Sequence, residues 1–518
     1  MNPSSCSPNG MMFQDILQKN ISIFSHFVDA SQNYLRAFSK YSNDFVIPYL
    51  IATGYFSNVE KQRLWTASPL ETFQSYMKLL SFNLELLGRG FSGSLKAITH
   101  SQEMEMGNAL AAVLNAVFCP QSEDLENFLE RQAKMMDVMA NQFPQAILDI
   151  EPEFGFHFER GENIKIAETD RFSLYQILPT DKKVKVNDKG KPIIILPPYV
   201  LGANILAFLP NEDKSYVHSF ANQGVPTYIR IFKDISTNEA VQVMSGEDDT
   251  MDTRLFCETV KKRHEKPVTL NGYCQGGFSA VCNLLTGELD GLVDALITCV
   301  SPMDGTRSKG LADFLENLPG RFNDLLYGTK TLPNGNKVAD GKLMGWVYKL
   351  KSIEYESPVA AFYRDLMMFG RQNIDHVIIS KTAAAINYWL SYERHDLPLS
   401  ITQMSFDSYN IPITKDGTLP VKLFGKKLNF KRLREKGIKW LICYGENDDL
   451  VEKETALAPI DYVDAEVTAF PKGHVAIATS WSHPNSACAL HTRFGDKNYR
   501  GPVRFQLDLQ NDLQEKTS

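Results

Sequence analysis

The spacing of hydrophobic positions changes near residue 160 of this chain, from a helical to a strand rhythm. Before it, Ser68-Pro69-Leu70-Glu71 forms a capping box with proline at the first helical position. Phe73, Met77, Leu80, Leu84 and Leu87 follow at spacings of three and four, which predicts one apolar helix face ending at Gly88. A second helix is expected from about Ser122, with Glu123 and Asp124 in its first turn and Leu125, Phe128, Leu129, Met135 and Met139 on its apolar side. Such stripes serve core packing or helix pairing, or dock an oligomer, a partner protein or a hydrophobic particle. Residues 1–155 are read as a helical N-terminal region.

Beyond it, short β-rich runs alternate with helical lengths. Ile193 to Leu196, Thr227 to Ile231, Val268 to Leu270, Leu296 to Val300, Trp440 to Tyr444 and Val467 to Phe470 are the predicted strands. Their nearly continuous apolar character implies a mostly parallel sheet with helices on both faces, the α/β class. Between the fourth and fifth runs, about residues 305–430 hold aromatics, proline and glycine with no strand rhythm. In a doubly wound enzyme this is where a cap or lid is inserted over the C-terminal edge of the sheet. No internal repeat is visible, so residues 156–518 read as one catalytic region carrying that insertion.

Chemistry concentrates on Asn271-Gly272-Tyr273-Cys274-Gln275-Gly276-Gly277, between the strand starting at Pro267 and the helix starting at Phe278. This is the spacing of a nucleophile elbow, with a thiol in the place more often held by serine. Gly272 and Gly276 remove side chains that would collide in so tight a turn, and Gly277 lets the helix approach the strand. The sulfur then sits at a helix N-terminus, where free N–H groups favour a thiolate and a nearby oxyanion. A lone Gly-x-Cys-x-Gly says little, because cysteine also serves as a small buried hydrophobe; the flanking strand and helix raise its weight.

A thiol elbow needs a base and an orienting acid, in the order nucleophile, acid, histidine on an α/β-hydrolase-type scaffold. Asp448 follows the strand ending at Tyr444, in Gly445-Glu446-Asn447-Asp448-Asp449-Leu450-Val451, and His474 follows the last strand, in Pro471-Lys472-Gly473-His474-Val475-Ala476. Glu446, Asp449 and Asp304 compete with Asp448, Asp304 fitting better as a helix cap; His483 and His491 are near in sequence to His474 but do not directly follow a strand. The oxyanion would be held by the Gln275 backbone N–H and a second N–H after the first of these strands, near Tyr199 and Val200.

Composition narrows the picture little. The chain is 43 % hydrophobic and 22 % charged, with a formal charge of −7 that argues against a general nucleic-acid or anionic-membrane surface. Lys261-Lys262-Arg263 reads as a solvated helix face or a local phosphate contact. Eight cysteines show no Cys-x-x-Cys pair and no metal-type Cys/His spacing, which suits a reducing cytosol and predicts no metal site. Met1 to Gly10 lacks the pattern of a secretory signal, and Phe45 to Phe56, broken by Pro48 and Gly54, is too short for an integral membrane segment.

Taken together these motifs resemble the polyhydroxyalkanoate synthases, which build storage polyesters from hydroxyacyl-coenzyme A. The elbow is similar to that family's Gly-x-Cys-x-Gly-Gly box, Asn447 to Val451 to its acid motif and Gly473 to Ala476 to its histidine motif. Leu196-Pro197-Pro198-Tyr199, the apolar Ile205 to Leu209, Tyr388-Trp389 and Leu397-Pro398 agree as well, over roughly residues 155–480. The resemblance implies an α/β-hydrolase fold and an acyltransferase with a Cys274–His474–Asp448 triad that polymerises (R)-3-hydroxyacyl-coenzyme A through an acyl-cysteine. It implies Trp389 as a pocket or lid residue, a homodimer or a second synthase subunit, and a cytoplasmic protein associated with polyester granules. No separate cofactor is implied, since coenzyme A enters with the substrate. The same triad would equally serve an acyl-coenzyme A thioesterase or polyester depolymerase. A non-catalytic granule-associated protein is the third reading.

Overall fold

A computed structural model of the chain describes residues 68–118, 125–310, 328–345, 358–370 and 376–509, with residue 61 and parts of 18–43. The described residues divide into two compact units, Met1–Ile150 with Trp346–Asn387 and Glu151–Gly345 with Tyr388–Ser518.

The second unit is built on eight strands: β1 Asn163–Glu168, β2 Phe172–Ile177, β3 Ile193–Leu196, β4 Thr227–Phe232, β5 Val268–Tyr273, β6 Val293–Cys299, β7 Lys439–Gly445 and β8 Glu466–Phe470. They lie in the order β1-β2-β4-β3-β5-β6-β7-β8. β2 is antiparallel to both its neighbours, and every other pair except β1 with β2 is parallel. This mostly parallel sheet has the strand order of the α/β-hydrolase fold. All six predicted strands are present. Ile193, Ile194, Ile195 and Leu196 of β3 are wholly buried, which requires cover on both faces of the sheet. The edge strand β1 and its neighbour β2 were not foreseen: Asn163 to Glu168 is buried only at Asn163 and has no apolar run to mark it, and in Phe172 to Ile177 Ser173 and Gln176 interrupt the apolar positions.

Because β4 lies on one side of β3 and β5 on the other, the chain reverses its winding at β3. The loops leaving β3 and β5 therefore diverge and open a crevice at the C-terminal edge, where ligands bind in open α/β sheets. β5 leads into a helix, Gln275–Thr286, that packs against Gly246–His264.

The region 305–430 departs from expectation. Among its described residues it contains the strands Thr329–Thr331 and Lys337–Ala339 paired as a hairpin, Leu397–Pro398 alongside, and a second hairpin of Thr418–Leu423 with Lys426–Asn429. These strands are of two to six residues and turn at Gly335 and Gly425, both at positive φ, so they are too short for an alternating pattern to stand out.

In the first unit, α1 spans Pro69–Phe118, 50 residues. The Glu71 N–H donates to Ser68 Oγ at 3.2 Å, as the capping motif predicts. Gly88 does not end the helix: an interior glycine costs about 1 kcal/mol, and Leu79, Leu86 and Gly90 on the buried face continue through it. Helix α2, Leu125–Asp137, buries Met135 and continues past Met139, which are packed with Phe143, Phe362 and Phe369 in a core of this unit. Its expected start at Ser122, and the stretches Met1 to Gly10 and Phe45 to Phe56, lie outside the described residues. No described helix is long and apolar enough to cross a membrane.

Candidate active site

Cys274 stands at the end of β5 with φ 50° and ψ −123°, immediately before the helix that begins at Gln275. A side chain other than glycine at positive φ is disfavoured, and such strain gathers at functional turns. The conformation is held from several directions. The Cys274 N–H donates to Cys299 O at 2.8 Å, and the Gly277 N–H returns to Cys274 O at 2.9 Å.

The three elbow glycines are required by close approach. A Cβ on Gly272 would strike the backbone of Gly276 and Gly277, one on Gly276 the carbonyls of Leu196 and Pro197, and one on Gly277 the Ser301 hydroxyl. Gly276→Ala therefore meets backbone that cannot rotate away. We expect it to lower unfolding stability by about 1–3 kcal/mol, read from urea denaturation, with the loop after β3 displaced from the elbow.

His474 and Asp448 meet as the chain order predicts. His474 Nδ1 lies 2.8 Å from Asp448 Oδ2, and both side chains are buried. The other carboxylate oxygen accepts the N–H groups of Leu450 and Val451 at 3.0 and 2.9 Å, so the acid is tied to its own turn. Glu446 and Asp449 face solvent instead, and Asp304 accepts from the Thr306 N–H to cap a short 3₁₀ turn. His483 takes a local bond from the Asn485 N–H. Tyr273, next to the thiol, donates its hydroxyl to His474 O at 2.9 Å and so joins the elbow to the histidine turn.

The remaining ring nitrogen, His474 Nε2, is buried with no hydrogen-bond partner. The Cys274 sulfur acts on the ring electrostatically. Burial pulls the imidazole toward its neutral form, but the Asp448 carboxylate and the Cys274 sulfur oppose this, and the net pKa is well above the ordinary histidine value. The protonated form of the ring is thereby favoured.

The expected oxyanion donors are Gln275, the first residue of the helix, and Tyr199 or Val200 in the loop after β3. Among the described residues, neither the Tyr199 nor the Val200 N–H has an acceptor. The Tyr199 side chain has a separate task. Its hydroxyl donates to Asp249 at 2.5 Å, and Asp249 also accepts from Ser279 at 2.7 Å and Asn283 at 2.8 Å and pairs with Arg230 at 2.7 Å. Burial works to raise the Asp249 pKa, yet Arg230 and these donors outweigh it and keep the carboxyl below its usual range. Burial, with the neighbouring Asp249, also keeps the Tyr199 hydroxyl protonated. A buried ion pair is economical only when every lone pair is used, as here. It ties the loop after β3 to the helix that follows Cys274. Sequence reasoning missed it because Arg230, Asp249 and Asn283 lie on three elements with no shared local motif.

Trp389 is buried, and its Nε1–H donates to Leu201 O at 3.0 Å, while the His395 N–H donates to Val200 O at 3.3 Å. Glu393 accepts from Asn204 Nδ2 at 3.0 Å on the same loop. The Tyr-Trp segment thus holds the loop carrying the Val200 N–H. Trp389→Phe keeps an aromatic side chain and removes one hydrogen bond worth about 1 kcal/mol, so the unfolding free energy should fall by at least that much, read from urea denaturation.

Among the described residues no group of histidine, cysteine and carboxylate side chains is placed to hold a metal.

No protein-family profile matches the chain, and no curated protein sequence does. Solved structures similar to it include a carboxylesterase of the ammonia-oxidising thaumarchaeon Nitrososphaera gargenis, at 12 % identity and TM-score 0.33, over 61 % of this chain and 92 % of that one. Carboxylesterase CesB (YbfK) from Bacillus subtilis is similar at 11 % identity and TM-score 0.32, covering 65 % and 92 %. The esterase domain of a Rhodothermus marinus protein matches at 11 % and 0.31, covering 62 % and 94 %. Likenesses this distant say nothing of activity. The strand order defines the class, a protein of α/β-hydrolase fold.

Proposed function

We propose that the protein is an enzyme that takes an acyl group from an acyl thioester onto Cys274 and passes it to an oxygen nucleophile. The observation that carries this reading is Cys274 at positive φ on the β5 turn, with the buried His474–Asp448 pair acting on its sulfur. His474 takes the thiol proton, the thiolate attacks the thioester carbonyl, and the tetrahedral oxyanion is met by the Gln275 and Val200 N–H groups. The carbon–sulfur bond to coenzyme A then breaks and the leaving thiolate receives the proton from His474. In the second half His474 takes a proton from the incoming water or alcohol, which attacks the acyl-cysteine and frees the thiol.

Water as acceptor, making the protein an acyl-coenzyme A thioesterase, or a polyester hydrolase where the acyl donor is an ester whose alcohol leaves with the His474 proton, requires no group beyond those described. A hydroxyacyl unit as acceptor, making it a polyester synthase of the polyhydroxyalkanoate type, is the second reading. The thiol favours it: exchange of one thioester for another keeps the intermediate reactive toward an alcohol, where a serine ester would be more stable. Incubation with 3-hydroxybutyryl-coenzyme A separates the two. Free coenzyme A with monomeric acid supports hydrolysis, coenzyme A with insoluble polyester supports the synthase, and no release of coenzyme A from any short or medium acyl thioester defeats both.

A further inference from the structure

The stripe on α1 is not spent on the core of its own unit. Leu70, Phe73, Met77, Leu80, Leu84, Leu87 and Phe91 are each 47–67 % exposed, while Thr72, Leu79 and Leu86 on the far side of the same helix are buried. The exposed residues follow one another at intervals of 3, 4, 3, 4, 3 and 4. This is an unbroken a/d heptad seam, with Leu70, Met77, Leu84 and Phe91 at a and Phe73, Leu80 and Leu87 at d.

We propose that this seam is the contact surface for the α1 helix of a second copy of the chain, the two pairing as a short coiled coil. Three features favour that occupant. The first is area: the seven side chains expose roughly 800 Å² together, one partner's share of a standard protein–protein interface and more than the largest apolar patch of an ordinary monomer. The second is shape. A two-in-seven stripe is the narrow seam that interlocks with another helix, whereas a helix lying on a lipid or polymer surface presents a broader apolar face flanked by Lys and Arg. The third is charge. The positions beside the seam are Gln74, Ser81 and Gly88 on one edge and Tyr76, Asn83 and Gly90 on the other. None is charged, so a seam meets its own copy without like-charge repulsion, and no acidic or basic edge selects a different partner.

Sedimentation of the full chain tests this without reference to turnover, so its outcome is independent of the thiol reading. The wild type is expected at twice the single-chain mass across the micromolar range. Leu80→Asp with Leu84→Asp should shift it to the single-chain mass, each substitution weakening association by about 30-fold or more. Lys78→Glu, on the same helix but off the seam, should sediment as the wild type does. Circular dichroism checks that the helix survives; where the double variant unfolds, Leu87→Asn replaces it as the milder disruption and must weaken the dimer. A single-chain mass for the wild type overturns the proposal, as does a dimer untouched by seam substitutions. A monomer that binds polyester particles or vesicles through Leu80 and Leu84 overturns it too, since the occupant would then be a surface.

Discussion

Cys274→Ala is expected to abolish release of coenzyme A from 3-hydroxybutyryl-coenzyme A, a loss of about 10⁴-fold or more in kcat. The removed sulfur is the atom that bonds to the acyl group, so no neighbouring group can substitute for it. The expected loss is not a folding defect, because alanine replaces a buried residue by a smaller one and keeps the Cys274 N–H bond to Cys299 O. A thermal melt distinguishes the cases: the variant should unfold cooperatively, at most a few degrees below wild type. Trapping completes the test. Wild-type protein quenched early with an acyl thioester should carry the acyl mass on the tryptic peptide containing Cys274, and the variant should carry none. Unchanged turnover in the variant would show that the elbow is structural and that the non-catalytic reading holds.

Asp448→Asn should cost about 10⁴-fold in kcat while leaving the side chain close to its original size. The amide would donate to His474 Nδ1 rather than accept from it. The ring would then carry its proton on Nε2 and could not act as base from that nitrogen. The same substitution alters the pH dependence. The folded-state pKa of His474 lies well above its ordinary value, against the pull of burial, through Asp448 and Cys274. Folding therefore favours the protonated ring. The stability this contributes is fully present below about pH 6.5, the unfolded value, and is lost as pH rises through the higher folded value. In Asp448→Asn that loss on the alkaline side should largely vanish, because burial then acts with less opposition and lowers the pKa. Denaturation midpoints followed from pH 6 to 10 in both proteins measure it. An identical alkaline decline in the two would mean that Asp448 does not hold the imidazolium.

The chemistry was legible in the chain because each part of the site is local. An elbow is set by glycines within four residues of its nucleophile. The acid and the histidine each follow the end of an apolar strand run, so their order and placement can be read without knowing how the strands are arranged. Asp448 was separable from Glu446 and Asp449 only in three dimensions, since three neighbouring carboxylates in one turn are equivalent until one of them is buried against His474. The same holds for Trp389: the family resemblance implies a pocket or lid residue, while its indole N–H is used on the loop after β3. The short hairpins of the 305–430 region and the edge strand β1 escaped notice because half-exposed strands of two to six residues lack the apolar run that identifies a central one, while in the buried β2 Ser173 and Gln176 interrupt that run.

By itself the sequence determined the α/β alternation, the thiol turn and the order of its partners, because these depend on hydrophobic period and on residues a few positions apart. Folding decided what depends on distant residues meeting. It chose which carboxylate reaches His474, built the Arg230–Asp249–Tyr199 network that ties the loop after β3 to the helix following Cys274, and left the α1 seam facing outward although its pattern equally suited a core. Periodicity states that a helix has an apolar face; only packing determines whether the protein covers that face itself.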